Sequence, residues 1–504
     1  MRLDRVLTTT LLVFLNVQIA TSQCLPLRIC NLPDSGNTAS SAPSQRGVQP
    51  NTLESGNGVS PIFFAVDDFS ATANPTGTWS YGYTEQFRSP FIRYTTIGTT
   101  TFSNEIGWFG PVPPFTNSPG YPLVVVSEAG KPRVLDMGPG PNGEYSVVRW
   151  TAPSSGLWDV SGEFDGLGST SSDVHILHNN RDVFARALNN SDVQVFAVKL
   201  TLQIGDTIDF AVGYGPDKNF DFDSTGLRAV VLPHEYDYEK VDFPGAAQTQ
   251  VFGFNDRGTV VGNYTDGQGI VHGFVYRNRN YVSIDYPGSL ETGFLGINNA
   301  DKIAGYYRGA DERYHGFLLS ESEYTPISYP GTLDTVAWDV NELGDVVGGY
   351  DFTDQNTVIG FLDHHDSFTS FQDPVAPPGA TQADAINDHG QIVGVYVDTD
   401  NSVHGFLLQH GIFSPVEFPG GVAGGEAEGI NNNAEIAGRY FGGRGGSLGF
   451  IRSGLRFTTV VFPGAAVCAA RKINNHGIVV GIYRQEPSQP LHGFIATPAT
   501  APEQ

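Results

Sequence analysis

Between Ile62 and about Leu232 the apolar positions come in short runs or in alternation, as in Leu123-Val124-Val125-Val126, Ser146-Val147-Val148-Arg149-Trp150 and Val193-Gln194-Val195-Phe196-Ala197-Val198. Turn formers separate these runs, and none sustains the 3.6-residue period of an amphipathic helix. The pattern predicts an all-β domain over residues 60–232, a β-sandwich of jelly-roll-like type.

From about residue 238 the pattern repeats. Pro-Gly pairs begin at Pro244, Pro287, Pro330, Pro378, Pro419 and Pro463, spaced 43, 43, 48, 41 and 44 residues apart. About eleven residues after each comes an Asn: Asn255, Asn298, Asn341, Asn387, Asn431 and Asn474. A Val or Ala, Gly, any residue and Tyr follow, from Val261-Gly262-Asn263-Tyr264 to Val480-Gly481-Ile482-Tyr483, and a Gly-Phe closes each copy. Each copy reads as four strands: A leading to the Asn, B the Val-Gly-x-Tyr segment, C the Gly-Phe segment and D ending in aromatic-Pro-Gly. The A–B turn carries a Gly that supplies positive φ, except where Asp301 and Ala434 replace it. Four strands in about 43 residues is the size of a propeller blade, so residues 238–497 are predicted to form a six-bladed β-propeller with four-stranded blades. The last copy stops after strand C, at His492-Gly493-Phe494-Ile495, whereas a spare D-type strand, residues 238–243, precedes the first copy. That segment is predicted to complete the sixth blade and so remove an exposed sheet edge.

The periodic half resembles the extracellular HAF repeats, named for a His-small-Phe signature. It is present here as His272-Gly273-Phe274, His315-Gly316-Phe317, His404-Gly405-Phe406 and His492-Gly493-Phe494, with Ile-Asn-x-x-Gly, Ile-Val-Gly-x-Tyr and Phe-Pro-Gly-Ala elements around it. Ile359-Gly360-Phe361 and Leu448-Gly449-Phe450 depart from the signature. The resemblance implies export from a bacterial cell and brings no activity with it. The stretch from Asn74 to Tyr83 is similar to sandwich modules of secreted bacterial proteins.

The N-terminus agrees with export. Met1-Arg2-Leu3-Asp4-Arg5 leads into the apolar stretch Val6 to Ala20 and small residues before Ser22, which reads as a cleaved signal peptide over residues 1–22. Residues 23–59 are rich in Ser, Asn, Pro and Gly and read as a disordered linker. Nothing later is apolar for the ~20 residues a membrane span needs. A net charge of -25 disfavours nucleic acid, whose phosphates are recognised by Lys and Arg. Of three cysteines, Cys24 and Cys30 lie in the linker, where a disulfide would stabilise little else, and Cys468 reads as a small buried hydrophobe.

No nucleophile elbow, zinc-protease helix motif, phosphate-binding loop or zinc-type Cys pairing is present, so no catalytic residue, metal or cofactor is assigned. Paired carboxylates for glycoside hydrolysis, assembled from distant blades, stay open. The recurrent His and Asn read as structural, because Ile359 and Leu448 replace the His in two copies. Ligand contacts are expected where copies differ, in the B–C loops, at Asp266, Asp311, Asp354, Asp400 and Arg444. In the N-terminal domain Trp79, Tyr81 and Tyr83 alternate on one strand face, a stacking platform for sugar rings if exposed and sandwich core if buried. Trp108, flanked by turn formers, is expected in an exposed aromatic loop. Asp221 and Asp223 are too few to make a Ca²⁺ site. These features point to a secreted, monomeric, non-catalytic recognition protein with an extracellular glycan or cell-surface component as partner. The alternatives are a carbohydrate-active propeller enzyme and a structural or adhesive surface protein.

Overall fold

The computed structural model describes residues 60–499 except 101–103, 113–119, 128–132, 351–356, 417, 419–423, 442–445 and 486–487. The signal segment, the linker with Cys24 and Cys30, and the B–C loop residues Asp354 and Arg444 lie outside the described residues. Every regular element described is a strand, and no helix is long and apolar enough to cross a membrane. The chain divides into two compact units that meet in sequence between Glu235 and Tyr236.

The first unit holds an eight-stranded and a six-stranded antiparallel sheet. Inward-facing residues from both sheets fill one core, in which Trp79, Trp150, Trp158, Phe164 and Phe210 are fully buried. The alternation in Ser146-Val147-Val148-Arg149-Trp150 becomes strand Tyr145–Thr151, with Val148 and Trp150 in that core. Burying a large ring removes roughly 150–250 Å² from water, worth on the order of 4–6 kcal/mol each before the entropy of ordering is set against it.

The second unit is built from six four-stranded antiparallel sheets of the β-propeller kind, each ordered A-B-C-D. In the first repeat these are Gln248–Phe254, Val260–Thr265, Val271–Arg277 and Asn280–Ile284. In the last repeat the outer strand comes from the start of the unit. Tyr236–Val241 pairs with His492–Pro498, placing Tyr238 opposite Ala496 and Val241 opposite Gly493. The two ends of the unit are thus hydrogen-bonded into one sheet, as the repeat register predicts.

The Asn that ends each A strand organises the turn after it. In five of the six turns its Oδ1 accepts the backbone N–H groups two and four residues on, as at Asn255 from Arg257 and Thr259. Its Nδ2 reaches the next sheet, donating from Asn255 to the Asn298 carbonyl, from Asn298 to Asn341, and onward to Asn474. The turn requires a left-handed residue in every copy. Gly258, Gly344, Gly390 and Gly477 supply it at no steric cost, whereas Asp301 (φ 60°) and Ala434 (φ 57°) adopt it against their Cβ. Ala434→Gly is therefore expected to stabilise the repeat unit by about 0.5–1 kcal/mol, read as a higher urea midpoint at unchanged slope. An unchanged or lower midpoint would show that the strain is absorbed elsewhere.

Each A strand also carries one β-bulge, at the same place in all six copies: the ladder skips Phe252, Leu295, Trp338, Asp384, Glu428 and Arg471. A bulge frees one residue from pairing and re-aims its side chain. Here that residue lies three before the Asn, and its freedom sets up the centre of the unit.

Candidate functional site

The six bulged side chains converge. Phe252, Leu295, Trp338, Asp384, Glu428 and Arg471, one from each sheet, line a single cavity of ≈ 20 Å³ with Lys472 beside them. Three consecutive sheets contribute apolar groups and the next three charged ones. Phe252 and Trp338 sit with ring centroids 6.3 Å apart, and the Arg471 guanidinium lies 5.2 Å from the Phe252 centroid.

The charged side is an interlocked set of buried ion pairs. Arg471 donates to Glu428. Arg439 chelates Glu426 through Nε and Nη2 at 2.9 and 2.7 Å, and its Nε lies 3.6 Å from Glu428. Lys472 Nζ donates to Asp339 Oδ2 at 2.7 Å and to the Asp384 carbonyl at 3.0 Å. Burial lifts the Asp384 carboxyl well above the usual carboxylate range, with the Gln382 hydrogen bond and Lys472 opposing. Burial likewise pushes Glu428 up to about 7, against the pull of Arg471. Perturbed acids often mark functional sites. This cavity, however, holds about one water molecule, so no substrate reaches these groups in the conformation described.

At the A–B turn end the axis widens to a cavity of ≈ 80 Å³. Its rim is a hydrogen-bonded ring made by the residue after each recurrent Asn. The N–H of Asp256 donates to Asn299 Oδ1, Asn299 to Glu342, Glu342 to Asp388, Asp388 to Asn432, Asn432 to Asn475, and Asn475 back to Asp256. The ring returns to its starting residue, so all six sheets are tied at this face. A cavity of this size takes a few waters, far below the ≈ 300–1,000 Å³ of small-molecule sites.

At the opposite end, where B–C loops and D–A turns meet, the recurrent His shows its role. It stacks on the Tyr of Val-Gly-x-Tyr, with centroids 5.0 Å apart for His272 and Tyr264, and 4.9 Å for both His315 on Tyr307 and His404 on Tyr396. The aromatic of aromatic-Pro-Gly stacks on the same Tyr, 3.8 Å for Phe243 on Tyr264 and 3.7 Å for Tyr286 on Tyr307. Each of the four His also meets a carboxylate. Asp285 lies 2.8 Å from His272, Asp311 3.1 Å from His315, Asp398 2.9 Å from His404 and Asp242 2.9 Å from His492. The four imidazoles stay between a fifth and about a third exposed.

Three of the predicted loop residues fall within this arrangement. Asp266 caps its own loop, accepting from Gln268 and Ile270, and faces His272 at 3.5 Å. Asp311 accepts from Arg313 and bonds His315. Asp400 is displaced from the role expected of it: its N–H donates to Asp398, and Asp398 holds the His. Of the first unit's candidate aromatics, the strand-face residues Trp79 and Tyr81 take the core alternative, and the expected exposed loop at Trp108 is corrected. Trp79, Tyr81 and Trp108 are 1%, 0% and 5% exposed, so they are core and offer no platform for a sugar ring. Trp108 stands in strand Ile106–Val112, and its Nε1 donates to the Ser70 carbonyl; Trp79 Nε1 donates to Asp68. Tyr83 is half-buried and stacks on Tyr94. Asp223 is buried and accepts from Thr170 and Ser171, while Asp221 is exposed, so the two do not share a site. Cys468 is buried, and burial pushes its thiol up to about 12, which suits a packed hydrophobe and not a nucleophile.

The axial residues went unnoticed in the sequence, yet a signal was there. Three places before an invariant Asn, six aligned copies carry Phe, Leu, Trp, Asp, Glu and Arg, a spread no common scaffold role explains.

No family model matches the chain, and no curated protein matches it. Among solved structures it is similar to the fungal Aleuria aurantia lectin, a six-bladed β-propeller with a fucose recognition mode (11% identity, 51% of this chain and 97% of that one, TM-score 0.33). It is also similar to the gluconolactonase XC5397 from Xanthomonas campestris (10% identity, 50% and 89%, TM-score 0.32). A third is the β-propeller domain of the Trilobed protease from Pyrococcus furiosus (8% identity, 76% and 99%, TM-score 0.32). At these values no activity passes from any of them to this chain.

Proposed function

We propose that this is an exported, monomeric, non-catalytic recognition protein that binds extracellular glycan through the B–C loop face of its repeat unit. In this reading the six sheets are all the blades of a closed six-bladed propeller of HAF type, and the first unit is a jelly-roll-like β-sandwich. The hydrogen-bonded ring that returns from Asn475 to Asp256 supports the closed count, and the shared core of the two N-terminal sheets supports the sandwich.

The observation that carries the binding reading is the fourfold recurrence of a partly exposed imidazole, held by a Tyr ring and a carboxylate, at one end of the unit. Carboxylate oxygens accept sugar hydroxyls, imidazole nitrogens donate or accept, and groups held in advance lose little entropy on binding. Four weak contacts on one face also suit a repeating polymer, because linked sites raise avidity without new contacts. Size speaks against catalysis in the axis, where the acidic groups adjoin a cavity of ≈ 20 Å³.

Changing His272, His315, His404 and His492 together to Leu copies what the fifth repeat already has at Leu448, so the fold is expected to persist. Glycan-array and polysaccharide pull-down signals are expected to fall about tenfold or more in that variant. No capture by the unaltered protein, or equal capture by both, would refute the reading. Release of soluble oligosaccharide from the same polymers would favour the hydrolase alternative, which takes its paired carboxylates from distant repeats at the channel mouth.

A further inference from the structure

We propose that the third repeat carries a binding site for a divalent first-row transition metal, Zn²⁺ being the probe, formed by Asp345 of its A–B turn with His364 and His365 of its C–D turn. One ligand atom from each of the three lies within 4.8 Å of the others. Two imidazoles and a carboxylate are a donor set that suits Zn²⁺ or Co²⁺ and leaves a coordination position for water or an exogenous ligand.

The two turns meet because A–B and C–D turns share one end of the sheet. Strand Ile359–His364 runs beside Val346–Tyr350, with Asp363 opposite Val346, which brings His364 next to Asp345. His364 Nδ1 is already 2.6 Å from Asp345 Oδ1, sharing a proton that a metal ion would replace. The carboxylate is itself held in place: Asn341 Nδ2 donates to Asp345 Oδ2 at 3.1 Å, and the Asp345 N–H returns to Asn341 Oδ1 at 2.9 Å. A fixed second layer of this kind orients a metal ligand and sharpens affinity. The imidazoles are exposed and free to complete the geometry.

A separate observation supports a cation site at this turn. Asp363 is only 4% exposed, and among the described residues its Oδ1 has no hydrogen-bond partner. It is close enough to Asp345, Asp366 and His365 for their charges to act on it. A buried carboxylate oxygen thus stands unpaired near His365, Asp345 and Asp366, which is costly for its charged form without a positive centre nearby.

The set belongs to one repeat alone. At the place of Asp345 the other copies have Thr259, Lys302, Gln391, Glu435 and Ile478. At the place of His364-His365, four have Arg277-Asn278, Ser320-Glu321, Gln409-His410 and Ser453-Gly454. A scaffold role would recur; this combination does not.

The test is calorimetric titration of Zn²⁺ into the tag-free full chain at pH 7.5, beside His364→Ala/His365→Ala, with circular dichroism to confirm that the variant is folded. The unaltered protein is expected to bind one tightest equivalent, and the double variant to lose it or bind it at least about tenfold more weakly. Co²⁺ is expected to give visible d–d absorption that Zn²⁺ abolishes, again only with both imidazoles present. Asp345→Gln, which keeps a polar side chain at the turn, is expected to weaken the same equivalent. Absence of binding by the unaltered chain, or the same isotherm and spectrum in the double variant, would overturn the proposal.

Discussion

Lys472→Met is expected to destabilise the repeat unit by about 3–5 kcal/mol, because it strips the cation from a buried pair and leaves the partner charge in place. Lys472 Nζ bridges Asp339 Oδ2 and the Asp384 carbonyl, so one ammonium joins the third, fourth and sixth sheets. Without it, Asp384, already lifted well above the usual carboxylate range by burial, loses the lowering pull of Lys472, and its folded pKa moves further from the unfolded value. A carboxyl whose folded pKa is raised favours the folded state most at low pH, and that contribution is lost as pH rises above its unfolded value near 4. The penalty is therefore expected to be smaller at pH 4.5 than at pH 8, which urea titrations at the two pH values will read. Adding Asp339→Leu to Lys472→Met is expected to recover much of the loss, since removing both partners avoids an uncompensated charge. A Lys472→Met variant as stable as the parent at pH 8 would show that water or rearrangement already screens the pair.

Gly394→Ala is expected to cost about 3 kcal/mol, the upper end of what overpacking usually does. Gly394 is the Gly of Val-Gly-x-Tyr in the fourth repeat. A Cβ there would overlap the Gln382 carbonyl oxygen of the neighbouring A strand and stand 2.9 Å from the Phe406 ring. Both obstacles are fixed, one by the sheet ladder and one by full burial. The same collision with an A-strand carbonyl awaits a Cβ at Gly262, Gly305, Gly348, Gly438 and Gly481, which explains why this Gly never varies among the copies. Gly267→Ala is the control: no atom lies within 4 Å of the added carbon, and a change within about 0.5 kcal/mol is expected. Equal thermal midpoints for Gly394→Ala and Gly267→Ala would contradict the packing account.

Much of the architecture was legible along the chain because it is written six times. Strand order within a sheet, the left-handed residue in the A–B turn and the return of strand Tyr236–Val241 to the last sheet all follow from spacing and turn chemistry, which are local. The packing of the His-small-Phe motif was legible for the same reason, since Ile359 and Leu448 stand in its place and contact with the Tyr ring tolerates them, whereas the carboxylate that meets each imidazole was not. The first unit was harder to read. Alternation placed Trp79, Tyr81 and Tyr83 on one strand face, but a sheet has two faces, and only the second sheet closing over them made that face core. Trp108 misled because Gly and Pro beside it look like a loop, while its strand continues through them.

That this is an all-β chain with repeating four-stranded units follows from residues close together along the chain, since the period of hydrophobic positions and the turn residues act within a few residues of each other. What stands at the centre of the repeats depends on the folded arrangement of all six sheets. Phe252, Leu295, Trp338, Asp384, Glu428 and Arg471 are separated by about 43 residues at each step, and nothing local says that one bulge per strand turns all six toward a common axis. The same holds for Asp345 and His364, nineteen residues apart, which meet because neighbouring hairpin turns share an end of a sheet. Contacts made by closing a ring or folding one turn beside another depend on the whole set of strands, and so they appear only once the chain is folded.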